Sequence, residues 1–198
     1  MEPITQFSQL DLSKSYTYAD YLTWRFDEFV ELIKGKVMQP MAGPSRLHQR
    51  YSIRISSEIY QFLKKSTCEV FTAPFDVRLV KSGANGDQQI RTVVQPDICV
   101  VCDPAKLDDR GCVGAPDWII EIVSPGNTSR DTKTKFDLYE ENGVSEYWIV
   151  YPGLKTITAY VLDKEEYKLA GEYIEPGLLP VATLPGLSLE WAEIFETV

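Results

Sequence analysis

A carboxylate interrupts what would otherwise be an unbroken apolar strand, Trp118-Ile119-Ile120-Glu121-Ile122-Val123. Apolar runs of this kind belong to strands covered on both faces, so the side chain at position 121 must enter packed protein. An unpaired buried carboxylate costs several kcal/mol, roughly what one or two well-buried aliphatic side chains contribute. Glu121 therefore needs a cation, a hydrogen-bond network or a proton, and any fold for this chain has to supply one.

A bounded helix follows. Thr128 and Asp131 have capping-box spacing and Asn142-Gly143 is a left-handed stop, which predicts a helix over roughly 129 to 142. On it Lys135, Leu138 and Tyr139 fall at i, i+3 and i+4 on the sheet-packing face, while Lys133 points elsewhere. Spacing leaves two readings of Lys135: its ammonium meets Glu121, or its stem lies along the core with the charge in water. With the apolar run that ends at Tyr151, residues 116 to 151 read as strand, helix, strand.

The 198 residues suffice for one substantial core and no linker divides them. The expectation is a single domain over 1–198, with a core at about 28–160 and an elaboration over 161–198. A hydrophobic content of 44% with 12% aromatic residues excludes general disorder. No apolar run approaches the ~18 residues of a membrane span. The start, Met1-Glu2-Pro3-Ile4, has neither a basic region nor an apolar core, so no secretory signal and a cytoplasmic location are expected. The net charge of −9 argues against a generic nucleic-acid coat protein, which needs a basic face. Arg46, Arg50, Arg54, Lys64 and Lys65 form a local basic stretch, readable as a binding face or as the solvated side of a helix.

Cys99 and Cys102 form a Cys-x-x-Cys pair, but residues three apart on a strand point to opposite faces and cannot easily chelate one ion. They read as buried free thiols. His48 is the sole histidine, which weakens any zinc or Ser-His-Asp proposal.

The remaining elements follow from periodicity. Thr17 caps a short helix reaching Trp24, and 29 to 33 and 36 to 39 form a hairpin around Lys34-Gly35. Glu31 shares a face with Phe29 and Ile33 there, making it either a second inward carboxylate or an exposed edge position. The longest helix spans 45 to 65, with Tyr51, Ile55, Ile59, Phe62 and Leu63 at helical period and His48 near that apolar face. Strands follow at 68 to 73 and 76 to 80, and at 93 to 102, where Pro96 precedes Asp97. Residues 103 to 116 read as a loop, 155 to 162 and 167 to 173 as a hairpin extending the sheet, and Ser188 as the cap of a closing helix carrying Trp191, Ile194 and Phe195. This is an α/β chain of the α+β kind, with a central mixed sheet flanked by helices.

Asp97, then Glu121, then Lys135 on the following helix is an order that resembles the PD-(D/E)XK nuclease superfamily. Val94-Gln95-Pro96-Asp97-Ile98, the segment from Gly114 to Pro125, the Asp131-x-x-x-Lys135-x-x-x-Tyr139 helix and the segment from Gly143 to Val150 are together similar to the Uma2 family of bacterial restriction endonucleases. So are Glu31-Leu32-Ile33-Lys34-Gly35 and Ser45-x-x-His48-Gln49. The resemblance covers about 30 to 160 and implies a restriction-endonuclease-like core that cleaves DNA with a divalent metal. In the superfamily the lysine stands two residues after the second acid. Here that place is Val123, so the role passes to Lys135.

The residue types suit this chemistry. Mg²⁺, or Mn²⁺ in its place, takes one or two carboxylates plus waters and phosphate oxygens, so Asp97 and Glu121 are the expected metal ligands. Lys135 orients the attacking water, Glu31 completes the metal shell or orients a ligand, and His48 touches substrate. A homodimer is expected because duplex-cutting enzymes commonly pair active sites. Two other readings stand beside this one: a nuclease-like fold that no longer cuts and serves as a binding or assembly module, suggested by the acidity, and two-carboxylate glycoside hydrolysis, which leaves Lys135 unexplained.

Overall fold

Element by element, backbone conformation follows local chemistry. A computed structural model describes residues 3–38, 43–80, 86–124 and 129–196, the side chains of 129–131 excepted. The short helix α1 (Tyr18–Tyr21) starts at a capping box, in which Asp20 N–H donates to Thr17 Oγ1 at 3.3 Å and Thr17 N–H donates to Asp20 Oδ2 at 2.8 Å. Strands β1 (Glu31–Ile33) and β2 (Lys36–Met38) are joined through Lys34 (φ 52°) and Gly35 (φ 82°), two left-handed residues as the twist of a two-residue hairpin requires. Ser45 Oγ accepts from His48 N–H at 3.2 Å and starts α2 (Arg46–Leu63).

Next come β3 (Glu69–Thr72), β4 (Val77–Arg78), β5 (Val93–Val94), β6 (Ile98–Val101), β7 (Leu107–Asp108), β8 (Gly111–Val113) and β9 (Trp118–Ile122). The chain continues through α3 (Ser129–Glu141), β10 (Glu146–Tyr151), β11 (Thr156–Asp163), β12 (Glu166–Tyr173), β13 (Leu178–Pro180), β14 (Ser188–Glu190) and α4 (Trp191–Phe195). The central sheet has the order β12-β11-β10-β9-β6-β3 and is mixed: β9 and β10 run parallel, and the other neighbours antiparallel. A parallel pair needs a crossover, which α3 supplies.

Alternation along the strands divides the sheet into two apolar faces. Ile98, Val100, Trp118, Ile120, Trp148 and Val150 pack with Tyr51, Ile55, Ile59 and Leu63 of α2 and with the C-terminal segment. Cys99, Val101, Ile119, Tyr147 and Ile149 face the other way, onto Leu138 and Tyr139 of α3. Glu121 has the parity of this second face.

A second sheet, β2-β1-β5-β4-β8-β7, contributes Val77, Val94 and Cys112 to the α3-side core, and its Leu32 and Val93 pack with Tyr18, Trp24 and Ile90 in a third cluster. Much of this sheet is new relative to the sequence reading. Residues 103 to 116, expected as a loop, contain the β7–β8 hairpin, whose strands are too short to show a period. Pro96 breaks the expected 93-to-102 strand, so β5 lies in one sheet and β6 in the other.

Four further expectations are corrected. Phe29 is 59% exposed and lies outside β1, because the strand begins only at Glu31. Phe62 is 42% exposed, on the solvent side of α2. Ser188 lies in β14, and the closing helix has Glu190 at its N-cap without a side-chain cap. Cys102 is not a free thiol: it is joined to Cys68, because β3 and β6 pair Glu69 with Val101 and the next step brings the two cysteines across from each other. Cys99 and Cys112 are free and buried. Among the described residues no helix is long and apolar enough to cross a membrane.

Candidate active site

The break at Pro96 sets the site. It leaves Gln95 just after β5 and Asp97 just before β6, at the junction between the two sheets. In the antiparallel β6–β9 pair Ile98 stands opposite Ile120, so the next step of the register sets Asp97 across from Glu121. Directly opposed residues have Cβ atoms about 4.5–5.5 Å apart, which puts two carboxylates on one patch of sheet. Asp97 Oδ2 accepts from Ile122 N–H at 2.7 Å, and its Oδ1 lies 3.0 Å from His48 Nε2. His48 reaches it from the first turns of α2.

Glu121 meets α3. Lys135 and Tyr139, one turn apart, both donate to Glu121 Oε1, at 2.9 Å and 2.6 Å. No described residue donates to Glu121 Oε2. Lys135 Nζ also lies 3.1 Å from Glu31 Oε1, and that oxygen accepts from Gln95 N–H at 2.9 Å. Glu31 thus points inward with Ile33, opposite to the buried Leu32. The side chains of Glu31, Asp97, Glu121 and Lys135 keep between 13% and 21% of their exposure, so the cluster retains access to solvent rather than being sealed in the core.

Three carboxylates here face one ammonium and one imidazole. Burial above all raises the Glu121 carboxyl; Lys135 pulls it down, Asp97 and Glu31 push it up, and the balance leaves it at about 7. Burial works against the charge on Lys135, but Glu121 and Glu31 outweigh it and hold the ammonium more firmly protonated than in water. His48 follows the same pattern: burial opposes its charge, and the bond and charge of Asp97 raise its pKa above the ordinary value. Burial and the neighbouring Glu121 hold the Tyr139 hydroxyl well above its usual range, so it remains a donor.

All five candidates from the sequence, Glu31, Asp97, Glu121, Lys135 and His48, fall in this one chain of contacts. Lys133 lies outside it, exposed and paired with Asp137 at 2.9 Å. Val123, where the superfamily has its lysine, packs with the α3-side core. His48 is 7% exposed and its Nε2 is turned to Asp97. The capping pair Thr128 and Asp131 and the turn after Ser124 lie outside the described residues or side chains. The sequence pattern assigns Tyr139 to packing alone; its position one turn after Lys135 is the signal that it can also reach Glu121. Gln95 gave none, because it acts through its backbone.

The residues fit a hard divalent cation. The carboxylates offer only oxygen, the cluster has an excess of negative charge, and one oxygen of Glu121 has no donor among the described residues. Among the described residues no three His, Cys, Asp or Glu side chains are grouped closely enough to ligate one ion, so the protein ligands here number at most two, Asp97 and Glu121.

The chain matches the Uma2 family model, described as "Putative restriction endonuclease", over residues 18–192. It is 26% identical over 133 residues to the uncharacterized protein slr1290 of Synechocystis sp., an alignment that covers 66% of this chain and spans 65% of that relative's length. In fold it is similar to a solved structure from Anabaena variabilis ATCC 29413, described as a putative nuclease belonging to DUF820, with TM-score 0.68, 23% identity, and coverage of 90% of this chain and 97% of that one.

Proposed function

We propose that this chain, which belongs to the Uma2 family of nucleases, is an endonuclease that hydrolyses DNA phosphodiester bonds with Mg²⁺ held by Asp97 and Glu121. The observation that carries this reading is the charge balance: three carboxylates against one ammonium and one imidazole, with no donor to Glu121 Oε2 among the described residues. When bound, the cation polarises the scissile phosphate and lowers the pKa of an attacking water; Mn²⁺ substitutes for it.

The protein's own groups divide the remaining work. Two hydrogens of the Lys135 ammonium are engaged by Glu31 and Glu121, and the third, which has no acceptor among the described residues, would orient water or meet the charge that grows on the phosphate. Glu31, steadied by the Gln95 amide, holds that ammonium in place. His48 fixes the Asp97 carboxylate. Two copies of the site in a homodimer would address both strands of a duplex.

Glu121→Gln keeps the volume and removes the charge. It should abolish Mg²⁺-dependent nicking of plasmid DNA while circular dichroism reports an intact fold. Cleavage at the wild-type rate by the folded variant would refute the proposal. The net charge of −9 favours, as a second reading, a non-cutting module; a wild-type chain that neither cuts nor takes up Mn²⁺ would support it.

A further inference from the structure

The two donors on Glu121 are not equivalent. Lys135 shares its ammonium between two carboxylates, whereas among the described residues the Tyr139 hydroxyl bonds only to Glu121 Oε1, at 2.6 Å. The rest of the Tyr139 side chain is fully buried, its ring meeting Tyr147 edge-on at 5.1 Å. Its aim is therefore fixed by packing and does not depend on the site. A carboxylate on a strand turns about its last torsion with little resistance, and a cation can take either oxygen or both. With Oε1 held by two donors from α3 and Oε2 without a donor among the described residues, that freedom is removed.

We propose that Tyr139 is a positioning residue: its hydroxyl locks Oε1 of Glu121 onto α3 so that Oε2 alone is presented to the divalent cation. This rests on the metal reading above. A buried tyrosine hydroxyl is not needed to hold α3 on the sheet, because the ring and Leu138 already fill that face.

The test compares Tyr139→Phe with Tyr167→Phe by Mn²⁺ calorimetry on the full chain. Tyr167 belongs to the same aromatic cluster and donates its hydroxyl to Val144 O at 2.9 Å, not to Asp97 or Glu121. Both variants lose one hydroxyl and keep the ring, so both should remain folded with similarly lowered melting temperatures. Outer-sphere partners of ligands typically contribute 10- to 100-fold in metal affinity, so Tyr139→Phe should raise the Mn²⁺ Kd by about tenfold or more and Tyr167→Phe by less than about twofold. Equal Kd values in wild type and Tyr139→Phe would overturn the assignment and leave the metal reading standing. Absence of Mn²⁺ binding by the wild-type chain would overturn both.

Discussion

Lys135 and Glu31 are 104 residues apart in sequence, yet the ammonium of one lies 3.1 Å from the carboxylate of the other while it also holds Glu121 at 2.9 Å. The lysine thus joins the N-terminal hairpin to the central sheet through α3, at the point where the two sheets meet.

Replacing Lys135 by Met keeps the length of the side chain and removes its charge. Two partly buried carboxylates lose their counter-ion, a loss that costs about 3 kcal/mol or more in comparable buried pairs. Cleavage should fall by about 100-fold or more, the usual cost of removing one donor from developing charge. Mn²⁺ affinity should hold or rise, because a competing cation has gone. Nicking assays and calorimetry on the purified variant check both, and undiminished cleavage would remove Lys135 from the mechanism.

The Glu121 proton gives a pH dependence with a definite sign. Its carboxyl is raised, by burial above all, from 4.5 to about 7, so across that window the folded chain keeps a proton that the unfolded chain has lost. This group's contribution to stability declines as pH rises through the window and is level above it. A cation must displace the same proton. The Mn²⁺ Kd should therefore fall about tenfold per unit between roughly pH 5 and pH 7 and then flatten. Calorimetry across that range should show the slope in wild type and a much weaker one in Glu121→Gln; identical slopes would assign the proton elsewhere.

Glu146 is the contrasting case. It is 1% exposed, and its two oxygens accept from Trp148 Nε1–H, Ala182 N–H, Thr183 N–H and Thr183 Oγ1–H at 2.7 to 3.2 Å. All four donors are neutral and no ion pair forms with a cation among the described residues, so this carboxylate ties the C-terminal segment to the start of β10. Glu146→Ala should destabilise the fold by about 3 kcal/mol, since several buried donors lose their acceptor. It should leave Mn²⁺ affinity unchanged. Urea unfolding and calorimetry separate the two effects.

Glu146 also shows how far the sequence can be read. Both it and Glu121 are acids in apolar strands, and nothing local tells a carboxylate satisfied by amides from one left open. The hairpin at Lys34-Gly35, α2 from Ser45 and α3 before Gly143 were legible because caps, turns and periodicity are short-range signals. The second sheet was not, since two- and three-residue strands carry no period. The partner of Cys102 depended on strand pairing across 34 residues. Within the site, Glu121 stood out by its cost, whereas the parts of Tyr139 and Gln95 are set by what α3 and β1 bring to them.

A crystal of the wild-type chain soaked in Mn²⁺ and measured at the manganese absorption edge tests the central claim most directly. The expected result is an anomalous peak touching the carboxylates of Asp97 and Glu121, on the Oε2 side of the latter. A fully soaked crystal with no peak between these two acids would contradict it.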